Sequence, residues 1–340
     1  MVLRTLFYPF ISRLFQFGVW FRHQLFDHHL LRSHAVDIPT ICVGNLAVGG
    51  TGKTPMTAYL VRLLIANGYH PAILSRGYKR KTKGFVMADA TSTVDTIGDE
   101  AMQMHATFPD LPIAVCENRV KGVKQLMRQV EQLDVIVLDD AMQHRAIRCG
   151  FTVLLTAYDN IYISDHMLPW GRLRDIPSRA LKADTIVVTK CPDTIRPIDM
   201  RVIDNRLHLP TFQSLHFTGI EYAPVTQAGV PLVLCGIAHP EYMLAHVQQQ
   251  YPQAELIAFP DHHPFAPKDI DAIMEKARHF DFVLTTEKDL QRLRDTDLEA
   301  RLQAENKQLL PLPIRVRFCS PKENFDRIVL QYVRENKKRK

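Results

Sequence analysis

Short apolar runs recur through the first two hundred residues. They are Ile41-Cys42-Val43, Ala72-Ile73-Leu74-Ser75, Ile113-Ala114-Val115-Cys116, Val135-Ile136-Val137-Leu138, Thr152-Val153-Leu154-Leu155 and Thr185-Ile186-Val187-Val188-Thr189. Runs without polar alternation predict strands buried on both faces, as in a parallel sheet. Helical spacing between them, as at 58–64, predicts an α/β fold with a mainly parallel sheet flanked by helices. The pattern restarts at Pro231-Leu232-Val233-Leu234-Cys235-Gly236, continues through 255–259 and 282–285, and has helical stretches at 241–250 and 267–279. Residues 212–222 alternate loosely and read as a linking strand. The expected layout is an amphipathic helix over 1–30, a first α/β domain over 31–212, a linker over 213–230, and a smaller α/β/α domain over 231–340 that closes a cleft.

The first 26 residues follow a different pattern. Leu3, Phe7, Phe10, Leu14, Phe17, Phe21 and Leu25 step by four and three, drawing one apolar stripe along a helix, with Ser12, Arg13, Gln16 and His23 opposite. Arg4, Arg13 and Arg22 break the stretch below the ~18 apolar residues a spanning helix needs. A small-residue cleavage site after a clean apolar core is also missing, so a secretory signal fits poorly. An aromatic, basic helix lying in a membrane interface fits. The alternative is a core helix packed on the body, with Pro9 in its first turn.

Length and composition then narrow the class. The chain has 340 residues, which suits two α/β domains, and its 46% hydrophobic and 23% charged residues are globular averages. Six scattered cysteines, none in a C-x-x-C pair, read as thiols of a reducing compartment. The formal charge of +6 is concentrated at the ends: residues 1–35 carry +3 and residues 331–340 carry +4, leaving the body at −1. That distribution disfavours a nucleic-acid-binding core and favours an anionic membrane surface touched by the termini. The tail from Arg334 to Lys340 either adds to that attraction or is a solvated end.

Candidate chemistry begins at residues 39–54, PTICVGNLAVGGTGKT. An apolar strand, a Gly-rich loop, Gly-Lys-Thr and a helix follow in the order of a phosphate-binding P-loop. Val48, Gly49, Gly50, Thr51, Gly52, Lys53, Thr54 and Pro55 form the expected nucleotide-binding segment. Its amides and the helix N-terminus would cradle phosphates, Lys53 would reach the β and γ groups, and Thr54 would offer a hydroxyl to Mg2+. Ala47 stands where the common pattern has Gly. Asp139 and Asp140, closing the run 135–138, sit where ligands bind in open α/β sheets and are the candidate metal carboxylates. Lys190-Cys191-Pro192-Asp193 is too far from the guanine-reading pattern to imply GTP.

Several strings together resemble the tetraacyldisaccharide 4'-kinase (lipid A 4'-kinase) family. They are VGNLAVGGTGKTP (43–55), SRGYKR (75–80), GDE (98–100), ENR (117–119), DDAMQHR (139–145), MLPWGRLRD (167–175), PDHHPF (260–265) and TEKD (286–289), spread over nearly the whole chain. Ala141, Met142, Met167 and Asp175 depart from the family's usual residues. The resemblance implies ATP-dependent phosphorylation of the 4'-hydroxyl of a tetraacylated glucosamine disaccharide 1-phosphate, giving the 4'-phosphorylated lipid A precursor, lipid IVA. It implies ATP and Mg2+, and a peripheral or monotopic place on the cytoplasmic face of a Gram-negative inner membrane. No obligate protein partner is implied.

It also assigns Asp99 as the base for the hydroxyl and His262 as the residue that orients it, with His144 and Arg174 near the phosphates. Tyr78 and Arg119 are weaker candidates for substrate or nucleotide contact, and Asn45 and Glu287 are loop-organising polar groups. The rival reading is a P-loop ATPase switch that cycles on membranes through its N-terminal helix. It needs only the P-loop and the acid pair.

Overall fold

The computed structural model describes residues 2–337, with side chains from Phe7 onward. The side chains of Leu3 and Arg4, and the tail residues Lys338, Arg339 and Lys340, lie outside the described ones. Helix α1 (Val2–Asp27) precedes β1 (Thr40–Asn45), α2 (Lys53–Ala66), β2 (Pro71–Ser75), β3 (Val86–Met87), α3 (Val94–Ile97), α4 (Asp99–Thr107), β4 (Ile113–Val115), α5 (Arg119–Gln129) and β5 (Val135–Asp139). Then come β6 (Phe151–Ala157), β7 (Thr185–Thr189), α6 (Pro197–Leu207) and β8 (Ser214–Tyr222). The second unit holds β9 (Pro231–Cys235), α7 (Pro240–Gln250), β10 (Glu255–Ala258), α8 (Pro267–Ala277), β11 (Phe282–Thr286), α9 (Glu287–Leu293), α10 (Leu298–Ala304) and β12 (Leu309–Leu312). The chain ends in β13 (Ile314–Phe318) and α11 (Lys322–Asn336).

Nine strands form one sheet in the order β13-β8-β7-β6-β1-β5-β2-β4-β3, and four form a second in the order β10-β9-β11-β12. Among the described residues of the large sheet, only the edge strands β3 and β13 run antiparallel to their neighbours. Alternate residues of its central strands feed two cores, one on each face. Ile41, Val43, Val135 and Val137 pack with α2, α4 and α11, while Cys42, Ile136 and Leu138 pack with α5. The apolar runs thus fold as the sequence predicts.

The domain boundaries need correction. Half of the expected linker 213–230 is β8, hydrogen-bonded to β7 in parallel register Thr185↔Ser214. Residues 314–336 do not belong to the second unit either. β13 pairs with β8, and Phe325, Val329 and Val333 of α11 are fully buried in the large domain's core. Burial of that apolar helix face closes one side of the large sheet, which is why the chain returns. The small domain is therefore an insertion, roughly 231–312, between two adjacent strands of the large sheet.

Helix α1 meets the protein through Ser12, Val19, His23 and Phe26 and turns most of its aromatic side chains outward. Ser12 Oγ donates to Met167 O (2.7 Å), and buried His23 meets Asp175 Oδ1 at 2.6 Å. Phe7, Phe10, Leu14, Phe17 and Phe21 are all more than half exposed. The stripe is thus not a core face, and Pro9 lies within the helix instead of in its first turn.

Candidate active site

The sheet order sets β1 between β5 and β6, with Val43 beside Asp139. The loop after β1 therefore lies next to the acid pair. It turns on Gly49 (φ 99°) and Gly52 (φ 82°), conformations that favour glycine, and delivers Lys53 as the first residue of α2. The loop is anchored from below. Asn45 Nδ2 donates to Thr51 Oγ1 (2.7 Å), Thr189 Oγ1 donates to Thr51 O (2.9 Å), and Val48 N donates to Arg172 O (2.8 Å). Residues 48–55 all line one cavity of about 1020 Å³ between the two domains.

The two acids differ in environment. Asp139 is buried, accepts from Thr57 Oγ1 at 3.3 Å, and has its carboxyl pushed up to about 6 by burial and by the neighbouring Asp140 charge. Asp140, in the left-handed region at φ 48°, accepts from Arg174 Nη1 (3.0 Å) and Nη2, with Lys53 Nζ 3.9 Å away. Burial opposes its ionisation, but Lys53 and Arg174 outweigh it and hold the carboxyl below its usual range. Arg174 also donates to Asn45 Oδ1 (2.6 Å), and its Nε is buried without a partner among the described residues. Two carboxylates and the Thr54 hydroxyl are hard oxygen donors suited to Mg2+, and two protein cations already stand on Asp140. In donor chemistry these residues suit the ion, although no cluster of three or more His, Cys, Asp or Glu side chains is assembled for one among the described residues.

Across the cavity the small domain meets α4. Asp99, 7% exposed at the α4 N-terminus, is reached by three donors, all on Oδ2: His262 Nδ1 (2.6 Å), Arg292 Nε (3.0 Å) and Arg292 Nη2 (2.5 Å). Burial pushes its carboxyl up, but the hydrogen bonds from His262 and Arg292 prevail and hold it well below the usual range. His262 lies on the loop after β10 at φ 60°, its N–H donating to Gly236 O (3.3 Å). Lys288 Nζ stands 3.1 Å from His262 Nε2. An ammonium only donates, so Nε2 accepts and Nδ1 carries the proton given to Asp99. His262, Lys288 and Tyr78 are on the cavity wall, and Asp99 lies behind them. Tyr78 sits edge-on to His262, with ring centroids 5.8 Å apart.

A family model described as tetraacyldisaccharide-1-P 4'-kinase matches residues 3–334. The chain belongs to the tetraacyldisaccharide 4'-kinase family. It is 42% identical to the tetraacyldisaccharide 4'-kinase of Flavobacterium johnsoniae, with 98% of each chain covered. It is also 42% identical to that of Parabacteroides distasonis, over 96% of this chain and 93% of the relative. Its fold matches the crystal structure of the "apo" form of LpxK from Aquifex aeolicus in complex with ATP, with a TM-score of 0.73 at 24% identity. That match covers 98% of this chain and 100% of the other.

Within this 4'-kinase family fold, most residues singled out in the sequence converge on the cavity, and two depart in detail. Arg119 is 1% exposed and donates to Cys116 O (2.8 Å) and Asp139 O (3.3 Å), bracing the ends of β4 and β5 at the edge of the cavity wall. His144 lines the cavity and accepts weakly from the Arg119 N–H at 3.4 Å. Burial, followed by Arg119, Arg22 and Arg76, pushes its ring down to about 4, so at neutral pH it is uncharged. The sequence reading missed Arg292 and Lys288. Both belong to the helix opened by TEKD, and Arg292 follows Asp289 by three residues, a spacing that places them on one face. Asn45 joins Thr51 to Arg174, and Glu287 accepts from Gln103 Nε2 at 3.4 Å.

Proposed function

We propose that this cleft transfers the γ-phosphoryl group of ATP to the 4'-hydroxyl of a tetraacylated glucosamine disaccharide 1-phosphate. As a member of the family, the chain is an ATP-dependent kinase that yields the 4'-phosphorylated lipid A precursor, lipid IVA. The carrying observation is that a single cavity is walled by the glycine loop with Lys53 on one side and by His262, backed by Asp99, on the other. A switch protein has no use for that second wall, and nothing in the geometry favours one.

Phosphoryl transfer needs positioning and charge neutralisation above all. The amides of residues 49–54 and the α2 N-terminus hold the phosphates, and Lys53 reaches the β and γ groups. Arg174 turns from Asp140 to a phosphate oxygen when the triphosphate is in place. Its planar fork suits either carboxylate or phosphate. Thr54, Asp139 and Asp140 would hold Mg2+, which when bound neutralises phosphate charge. The acceptor hydroxyl gives its proton to Asp99 on Oδ1, which carries no hydrogen bond among the described residues, while His262 orients the carboxylate through Oδ2. In a loose transition state the hydroxyl proton leaves late, so a carboxylate that remains ionised suffices as acceptor. Movement of the His262 loop would expose Oδ1 while the two domains, joined at Asp99 by Arg292, exclude water. The deciding assay combines protein, Mg·ATP and the lipid disaccharide, read by product mass. ATP hydrolysis without phosphorylated lipid would sink the proposal.

The outward aromatic face of α1 supports docking on an anionic membrane, since a contiguous apolar surface of this kind marks an interface. No described helix is long and apolar enough to cross a membrane. Replacing Phe10, Phe17 and Phe21 by Ser should release the protein from vesicles containing anionic lipid while retaining ATP binding. Undiminished co-sedimentation would refute the docking face.

A further inference from the structure

Arg292 has its own support inside the small domain. Its Nη1 donates to Asp289 Oδ1 (2.8 Å) and to Gly236 O (3.4 Å). Asp289 is fully buried, and its other oxygen accepts from Gly236 N (2.8 Å) and Thr286 Oγ1 (2.7 Å). Strand β9's end, the α9 N-terminus and Asp289 thus aim the guanidinium before it meets Asp99. The remaining edge of that guanidinium, Nε and Nη2, is what grips Asp99 Oδ2. A planar fork held on one side by its own domain and presented on the other is a device for orienting a carboxylate.

We propose that Arg292, braced by Asp289, is a positioning residue for phosphoryl transfer: it fastens Asp99 to the small domain through Oδ2, leaving Oδ1 for the acceptor hydroxyl. The proposal rests on the reading of Asp99 as proton acceptor. The Arg292 fork and the His262 N–H converge on one oxygen, with Arg292 Nη2 3.3 Å from His262 Nδ1, and leave Oδ1 without a donor among the described residues. The contact also couples domain seating to chemistry, because Asp99 belongs to the large domain and Arg292 to the small one.

The same contact sets a pH signature. The charged and titratable groups around Asp99 are Arg292, Lys288, Asp289 and Glu287 on α9, Asp261 and His262 on the loop after β10, and Glu100 on its own helix. On the other packed elements, Asp95 of α3 is paired with Lys81, and Arg62 of α2 covers the Phe108 ring. Arg292 is the only one of these donating two hydrogen bonds to Asp99, and it favours the ionised form. Without it the carboxyl keeps its proton to higher pH, and activity fails earlier on acidification.

The test is the pH dependence of kcat and kcat/KM for Arg292→Gln and Arg292→Lys, with Mg·ATP and the lipid disaccharide monophosphate. In Arg292→Gln, kcat should fall about tenfold or more, and the acidic limb of kcat, read at saturating Mg·ATP so that Asp139 stays ionised, should move up by about one pH unit or more. KM for ATP should stay within about twofold, because the glycine loop is untouched. Arg292→Lys, which keeps the charge but not the fork, should recover the limb position more than the rate. A folded Arg292→Gln with an unmoved limb, whatever its rate, overturns the proposal. If that variant does not fold, Asp289→Asn should shift the limb the same way by less, and an unmoved limb there overturns it equally. Asp99→Asn is run alongside. If it keeps its turnover, the acceptor reading itself fails. If it is inactive while the Arg292 profiles match wild type, only the present inference fails.

Discussion

The two walls of the cleft are built on different principles. The nucleotide wall comes from one stretch of chain: β1, its glycine loop and the start of α2, with Asp139 brought alongside by one strand pairing. The opposite wall is assembled from three distant segments, at Asp99, His262 and the α9 residues Lys288 and Arg292. The first does not depend on the small domain for its shape, so a triphosphate bound there would not require the domains to touch. The second exists only while the domains touch. Binding and proton transfer are thereby separated in space, and substitutions should separate them in kinetics.

The largest effect is expected at the assembled wall. Asp99→Asn should lower kcat by about 10²–10⁴-fold, the usual worth of a positioned proton acceptor, with ATP affinity unchanged in a direct titration. Turnover that survives Asp99→Asn but not His262→Ala would exchange their roles. Lys53→Ala should cost about 10²–10³-fold in kcat and also weaken ATP binding, so one substitution shows in both measurements and the other in one. An Asp99→Asn protein with weakened ATP binding would break the separation.

A milder effect should appear with pH alone. Burial and the neighbouring Asp140 charge push the Asp139 carboxyl up to about 6, above the ordinary 3.8. Between these values the folded chain holds a proton that the unfolded chain releases, so this group's contribution to stability falls as pH rises through that window. Metal binding runs the other way, because a ligating carboxylate must be ionised. Mg·ATP affinity should therefore drop on acidification below about pH 6, by up to about tenfold per pH unit, while Mg-free ATP affinity changes less. Equal slopes with and without Mg2+ would remove Asp139 from the metal. The smallest effect is expected for Asn45→Ala. It loses the hydrogen bonds to Thr51 and from Arg174, and should raise KM for ATP several-fold with kcat little changed.

The same contrast explains what was legible in the sequence. Apolar runs buried on both faces announce parallel strands, and a glycine loop between strand and helix announces its own geometry. Both signals are local. The returning strand β13 alternates Ile314, Val316 and Phe318 with arginines and sits at an edge, so it carries no buried run. Its assignment depends on pairing with β8, which no local pattern encodes. Arg292 was invisible for a similar reason: a buried arginine on a short helix reads like any surface arginine until Asp99 is placed beside it. The outward stripe of α1 was legible as a stripe, but its direction was decided by Ser12 and His23, whose partners Met167 and Asp175 lie about 150 residues away.

The small domain leaves the large sheet after β8 and re-enters it at β13, and those two strands pair with each other up to Ile314↔Tyr222. Only Pro313 separates β12 from β13, and its carbonyl accepts from Ala223 N at 2.9 Å. Two anchorages side by side act like the knuckles of a door hinge: swinging about the line between them is easy, whereas sliding and twisting across it are resisted. A swing about that line would return the small domain along one arc and bring the guanidinium back to the same oxygen.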